Sequence, residues 1–345
     1  MNFKSFRESL SFDDVLLVPR YSEIESRSQV DVSSDLDKDL NFKLPVISSP
    51  MDTITEESMA ISLHQAGGLG IVHRYNTIGE QSDIVRKIQE HDRSIPVAVA
   101  IGATGDYLNR AEMAVRLGAK VLCIDTAHGH HIAMERALKT LKDNYGDRVH
   151  IMAGNVATLE GFNALSEWGA DSIRVGIGGG SICSTRLVTG HGMPTFESIM
   201  ECAQTGHSAK IIADGGIKTS GDIVKALAAG ADFVMVGSML AGTEETPGET
   251  FYSNSGKRYK VYRGMASAEA QSDWRGKSST PEGVATTVAY KGEVAPILDN
   301  LLGGIRSGFS YSGVRTLKEM HAKSKFIRQT SAGQFESSTH IMRKR

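Results

Sequence analysis

Three cysteines in 345 residues are too few for a disulfide framework. They fit a reducing compartment, so a cytoplasmic location is expected. An excess of one charge is also missing. There are 38 Lys and Arg against 40 Asp and Glu, a formal net charge of -2. That balance gives no reason to expect a nucleic-acid partner. No uninterrupted apolar run reaches membrane-spanning length, and MNFKSFRESLSFDD lacks the apolar centre of a signal peptide. No membrane role is expected either. Glycine, by contrast, is plentiful: 36 residues, roughly one in ten against an average near 7%. The 40% hydrophobic and 23% charged composition excludes wholesale disorder. The length suits two ordinary domains or one large α/β domain.

Short apolar runs alternate with helical patterns along the chain. They are PVISS (45–49), LGIVH (69–73), PVAVA (96–100), VLCID (121–125), HIMAG (150–154), SIRVG (172–176), KIIAD (210–214) and DFVMV (232–236). They are continuous rather than alternating, as expected for parallel strands buried on both faces. Gly-Ala precedes three of them, at 118–119, 169–170 and 230–231. This is a repeated helix-stop, turn and strand unit. Ser220 is the expected N-cap of the helix containing Ile223 and Leu227. Eight such units predict a (β/α)₈ barrel. An open doubly wound sheet is the alternative, weakened because no GxGxxG follows the first strand. Residues 250–345 read as barrel decoration: a polar stretch (252–260), a polar loop (270–292), an apolar helix near 297–302 and a basic tail.

In such a barrel the chemistry lies on the loops after the strand C-termini. The sixth run leads into GIGGGSICSTR (176–186), the seventh into Gly215-Gly216 and the eighth into Gly237-Ser238. Glycine lets backbone N–H groups approach a ligand, and successive N–H groups form anion nests. Ser181, Gly216, Gly237 and Ser238 are therefore read as one phosphate site. Cys123 and Cys202 fall in a strand and a helical pattern and are read as small hydrophobes. Cys183 sits in the glycine-rich loop and is the candidate nucleophile, with Thr185 as a proton relay that needs a base beyond it. His128 and His130 lack a third ligand at suitable spacing and are not read as a metal pair.

The loop GIGGGSICSTR closely resembles the active-site loop of the IMP dehydrogenase/GMP reductase family. So do SFDDVLLVP (11–19), SSPMDT (48–53), IDTAHGH (124–130), AGNV (153–156), ADGGI (213–217), VGSMLAGTEETPGE (236–249) and YRGMAS (262–267). They occur in family order over nearly the whole chain. The resemblance implies one (β/α)₈ catalytic barrel over 1–345, with a flap at about 268–292 and a tail at about 328–345. It implies a homotetramer acting on GMP or IMP. Cys183 would attack C2 of the purine, with Thr185 and Glu282 as its catalytic partners. Ser49, Ser181, Gly216, Gly237, Ser238 and Tyr262 would hold the phosphate, and Asp214 the ribose hydroxyls. Gly264, Met265 and Ala266 would line the base. Asp125, Thr126 and Asn155 would face the nicotinamide cofactor. The carbonyls of Gly178, Gly180 and Cys183 would bind a monovalent cation, K⁺, completed by Glu336, Ser337 and Ser338 of a neighbouring subunit.

Two reactions share the cysteine adduct. A dehydrogenase oxidises IMP with NAD and hydrolyses the adduct; a reductase expels ammonia from GMP and takes hydride from NADPH. The family's dehydrogenases usually carry a CBS insert, and HDRSIPVAVAIGA (91–103) leaves no room for one. They also carry a water-activating Arg-Tyr pair on the flap. Here QSDWRGKSSTPEG (271–283) has Trp274-Arg275 instead and retains Glu282. Both features point to a reductase. Ala266 in place of a serine, the wording of SSPMDT and TEETPGE, and the SAGQFESSTH tail point the other way. The flap decides, because it performs the step by which the reactions differ. GMP reductase with NADPH is therefore the expectation, with a CBS-free IMP dehydrogenase using NAD as the alternative. A non-catalytic nucleotide-binding homologue is a third, disfavoured because Cys183, Thr185, Asp214 and Glu282 are all present.

Overall fold

All eight apolar runs are strands in the computed structural model, which describes residues 7–337. They are β1 (Val46–Ser48), β2 (Leu69–Val72), β3 (Ala98–Ile101), β4 (Val121–Asp125), β5 (His150–Val156), β6 (Ser172–Val175), β7 (Lys210–Asp214) and β8 (Phe233–Val236). Each pairs in parallel with the next, and β8 pairs with β1 to close the barrel. Closure explains the continuous apolar runs. One set of side chains fills the barrel, including Ile47, Leu69, Ile71, Met152 and Phe233, while the other packs against the helices.

The helices follow in order: α1 (Glu57–Gln65), α2 (Ile78–His91), α3 (Tyr107–Arg116), α4 (Ile132–Tyr145), α5 (Leu159–Glu167), a short α6 (Thr185–Thr189), α7 (Thr195–Cys202) and α8 (Ser220–Ala228). The three Gly-Ala turns are as read: Gly118, Gly169 and Gly230 have φ of +93°, +107° and +118°, a region open to glycine. The N-cap of α8 is Thr219, one residue before the expected Ser220. Its hydroxyl accepts from Asp222 N–H (3.1 Å), and the Asp222 carboxylate accepts from Thr219 N–H (3.0 Å). This reciprocal capping box needs an acidic residue three positions on, which selects 219 over 220.

Between β8 and the ring-completing α10 (Ala295–Tyr311) the structure departs from the sequence reading. The polar segments at 252–260 and 270–292 are not loops throughout. Phe251–Tyr252, Arg258–Arg263 and Ala285–Ala289 form an antiparallel sheet, and α9 (Ala268–Arg275) precedes its last strand. Ser267 caps α9, and Gly276 ends it in the left-handed region. The last strand, ATTVA, is half exposed and has too few large apolar residues to show as a strand.

Two further pairings shape the ends of the barrel. A hairpin of Ser34–Asp35 and Asn41–Phe42 plugs the end opposite the site, putting Leu36 and Phe42 into the barrel core. Phe42 meets Phe233 edge-on at 5.9 Å between ring centroids. The Asp37 carboxylate lies 2.9 Å from His150 Nδ1, and His150 Nε2 lies 2.8 Å from Ser172 Oγ. At the other end of the chain, α11 (Leu317–Lys323) leads to Phe326–Arg328, which pairs antiparallel with Val15–Leu17. The short α12 (Ser331–Glu336) follows.

Candidate active site

The C-terminal ends of the barrel strands open into a cleft of about 780 Å³. Its centre is the loop after β6. A Cβ on Gly176, at φ +145°, would stand 1.9 Å from the Asp214 carbonyl oxygen, so only glycine lets this loop lie against the loop after β7. One end of the cleft gathers hydroxyls. Ser181 Oγ is 3.1 Å from Tyr262 Oη. A Cβ on Gly237 would fall 3.3 Å from Ser49 Oγ and 3.5 Å from Tyr262 Oη. Four separate segments thus converge on one spot, and Gly216 and Ser238 line the same cleft. Burial pushes the Tyr262 phenol up, against an opposing hydrogen bond from Ser181, so it stays a neutral donor.

Cys183 is exposed in this cleft, and its thiol donates to Thr185 Oγ1 at 3.2 Å. Its loop is zipped to the segment after α9. Val284 N–H donates to the Ile182 carbonyl (3.0 Å), Ser184 N–H to the Glu282 carbonyl (2.9 Å), and Glu282 N–H to the Ala266 carbonyl (3.0 Å). Cys183, Thr185 and Glu282 therefore line one cleft, with the Cys183 loop tied by backbone bonds to the Glu282 segment, and Gly264, Met265 and Ala266 line it beside them. Just before Pro281-Glu282, Thr280 holds φ at +36°. A non-glycine residue there costs about 1–3 kcal/mol, so the flanking contacts must fix it.

A buried charge network forms the floor. Arg174 Nη1 donates to Asp125 Oδ1 (2.6 Å), and Nη2 donates to Asp214 Oδ2 (2.8 Å). Asn155 Nδ2 donates to the same Asp214 oxygen and to the Gly176 carbonyl, both at 2.8 Å. Its Oδ1 is buried without a partner among the described residues. Asn155 is thus joined to Asp214 and, through Arg174, to the network that holds Asp125. Thr126 Oγ1 donates to the Gly154 carbonyl (2.8 Å). Burial opposes ionisation of Asp125, but Arg174 and Arg74 together outweigh it and hold the carboxyl below its usual range. Arg74 also donates to the Asp125 carbonyl (3.1 Å), and its guanidinium lies over the rings of Tyr75 (4.9 Å) and Trp274 (5.5 Å). This stack fastens α9 to the barrel rim. Arg275 lines the cleft with its guanidinium 5.1 Å from the Trp274 ring.

Arg174, Arg74 and Tyr75 were missed in the sequence. The signal for Arg174 was one charged residue inside the apolar run SIRVG, which a strand reading absorbed. Burial pushes the Cys123 thiol up to about 11 and the Cys202 thiol to about 12, as expected of inert small hydrophobes. No group of three or more His, Cys, Asp or Glu side chains among the described residues is arranged to hold a metal. A cation on the loop after β6 would have to be held by carbonyl oxygens, a donor set that suits a hard ion. The Gly180 carbonyl already accepts from Cys183 N–H (3.1 Å). Glu336 ends α12, and the Ser337 hydroxyl bonds to Gln329 Oε1 and the Gly333 carbonyl of its own chain. Ser338 lies outside the described residues.

Comparison with known proteins agrees with this geometry. The family described as IMP dehydrogenase / GMP reductase domain matches residues 9–340. An inosine-5'-monophosphate dehydrogenase of Nitrosopumilus maritimus is 34% identical over 471 aligned positions, covering 97% of this chain and 98% of the relative. A GMP reductase of Leishmania major is 32% identical over 481 positions, covering 98% of each. The crystal structure of a cysteine-to-alanine variant of Trypanosoma brucei GMP reductase, in complex with guanosine 5'-monophosphate, superimposes with a TM-score of 0.91. It shares 30% identity and covers 97% of this chain and 98% of that one. Both sequence alignments run well beyond the 345 residues present here. Relatives of either name therefore carry extra sequence, and the short length of this chain does not separate a reductase from a dehydrogenase. On the matched span, the barrel and the coverage of these relatives, the chain belongs to the IMP dehydrogenase/GMP reductase family of oxidoreductases that act on purine nucleotide monophosphates.

Proposed function

We propose that this protein is a GMP reductase, converting GMP, NADPH and two protons into IMP, NADP⁺ and ammonium within a single catalytic barrel without a regulatory insert. The observation that carries this reading is the tie between Glu282 and the Cys183 loop. The backbone of Glu282 is hydrogen-bonded to the loop that carries Cys183, while GKSSTP (276–281), the segment between α9 and Glu282, contains no Arg-Tyr pair to activate water.

The cysteine sulfur adds to C2 of the guanine ring. Glu282, acting through Thr185, protonates the departing 2-amino group, and the C2–N bond breaks to release ammonia. NADPH, when bound, supplies a hydride to C2. The C–S bond then breaks, returning the sulfur to Cys183 and leaving IMP. Asp214 binds the ribose hydroxyls, and Asp125, Thr126 and Asn155 face the cofactor. The unpartnered Asn155 Oδ1 is an acceptor suited to a hydroxyl or amide donor there. Ser49, Ser181, Gly216, Gly237, Ser238 and Tyr262 hold the phosphate. The carbonyls of Gly178, Gly180 and Cys183 bind K⁺, with Glu336, Ser337 and Ser338 supplied by a neighbouring subunit of a homotetramer. Three free cysteines support a cytoplasmic location. Among the described residues no helix is long and apolar enough to cross a membrane.

A second reading, IMP dehydrogenase using NAD, draws on Arg275, a cation in the cleft, and on Ala266, which offers no hydroxyl to a 2-amino group. Two incubations separate them: GMP with NADPH, and IMP with NAD, each followed by absorbance and ammonia release. The expected result is ammonia from GMP with NADPH consumption. NADH formation from IMP without ammonia from GMP would overturn the reductase reading. Cys183→Ala should abolish turnover in either direction while leaving nucleotide binding intact.

A further inference from the structure

The phosphate end of the cleft presents the hydroxyls of Ser49, Ser181, Ser238 and Tyr262. Lys218, a cation lining the cleft there, is paired with Asp13 at 2.8 Å. Two other lysines contact the segment that follows Gly237. Gly237 opens a helical turn in which its carbonyl accepts from the N–H groups of Leu240 and Ala241, both at 3.0 Å. Among the described residues nothing accepts from the Ser238 N–H. This hydrogen-bonded turn lines the cleft through Gly237 and Ser238. Lys291 Nζ donates to the carbonyls of Ser238 at 3.0 Å and Met239 at 3.1 Å. Further along the same segment, Lys260 Nζ donates to the carbonyls of Thr243 and Glu244, both at 3.2 Å, and of Thr246. Lys260 is 3% exposed and lies two residues from Tyr262 on the same strand.

We propose that Lys291, seconded by Lys260, is the countercharge of the phosphate site and acts through the backbone of residues 237–246 without touching the phosphate. Neither ammonium has a carboxylate within ion-pair distance among the described residues, but Glu244 and Glu245 lie near enough to favour the charge on Lys260. Lys260 is buried among carbonyl oxygens, which is costly unless its charge serves a neighbouring anion, whereas Lys291 is exposed and is placed by its two carbonyl contacts. An ammonium on the carbonyl side of a peptide strengthens its N–H as a donor and fixes the turn that aims it. Burial lowers the pKa of Lys260, and a bound dianion would relieve that destabilisation. These are positioning residues, and the idea rests on the phosphate site proposed above.

The test compares a nucleotide with its nucleoside. GMP, IMP, guanosine and inosine are titrated calorimetrically into the wild-type protein, Lys291→Met, Lys291→Arg and Lys260→Met. Lys291→Met should weaken both nucleotides on the order of tenfold, the scale of a lost charge-assisted bond, and leave both nucleosides unchanged. Lys291→Arg should restore most of the nucleotide affinity. Lys260 is buried, so its variant is informative only when it retains wild-type nucleoside affinity, and it should then show the same selective loss. Equal weakening of nucleotide and nucleoside, or no change in Lys291→Met, would overturn the proposal. A wild-type protein that binds no nucleotide would instead refute the site reading on which it rests.

Discussion

Arg174→Gln is the most searching perturbation of the site. The guanidinium is 7% exposed and holds two carboxylates, Asp125 at 2.6 Å and Asp214 at 2.8 Å. With charge centres about 4 Å apart and an effective dielectric near 20, each pair gains about 4 kcal/mol. Desolvation of the arginine offsets part of this, so removing it should cost about 3–5 kcal/mol of stability, the scale for breaking a buried ion pair. The pH dependence is more diagnostic. In the wild-type protein the Asp125 pKa is lowered, so its contribution is present above the ordinary carboxylate value of about 3.9 and is lost as pH falls through the lower folded value. In the variant, burial stays the largest influence and only Arg74 and the Tyr75 hydroxyl oppose it. The folded pKa then rises above the ordinary value, and stability is lost as pH rises toward it. Urea denaturation of both proteins should therefore show a gap that narrows between about pH 8 and about pH 5. A gap that stays constant or widens on acidification, or one below about 1 kcal/mol, would refute this account of the network.

Glu282→Gln should lower turnover of GMP by roughly a hundredfold to ten-thousandfold, the usual worth of a positioned acid, with little change in nucleotide affinity. A pre-steady-state measurement of ammonia release would show the deficit in that step; an unchanged rate would remove Glu282 from the mechanism. Phe42→Ala, in the plug at the far end of the barrel, should cost about 3–5 kcal/mol in chemical denaturation. The KM for nucleotide should stay at the wild-type value, and a large change would mean the two ends of the barrel are coupled.

The barrel was legible because closure buries both faces of every strand, and burial leaves a continuous apolar run in the sequence. The glycine-rich turns were legible because their backbone requirement excludes other residues. Arg174 was not, because an arginine in a strand can only be assigned a partner once β4 and β7 are placed on either side of β6. The sheet over 251–289 escaped for a different reason. Its strands are partly exposed and carry alanine, threonine, lysine and arginine, so their pattern resembles that of a loop, and pairing rather than composition defines them. The plug over 34–42 likewise offers only Leu36, Leu40 and Phe42 among polar neighbours, too few to mark an element.

The pairing of Val15–Leu17 with Phe326–Arg328 bears on how this cleft comes into being. The strands join residues more than three hundred positions apart, and the entropic cost of closing a loop rises with its length. The barrel between them must be largely assembled before that contact is favourable. Phe12, which stands in the cleft wall and packs edge-on against Phe196 at 5.8 Å, is anchored beside this pair. The wall near Gly216 should therefore be among the last parts of the molecule to take shape during folding. A folding intermediate with a formed barrel and an unpaired 326–328 segment would have its catalytic loops in place before it could bind nucleotide with full affinity.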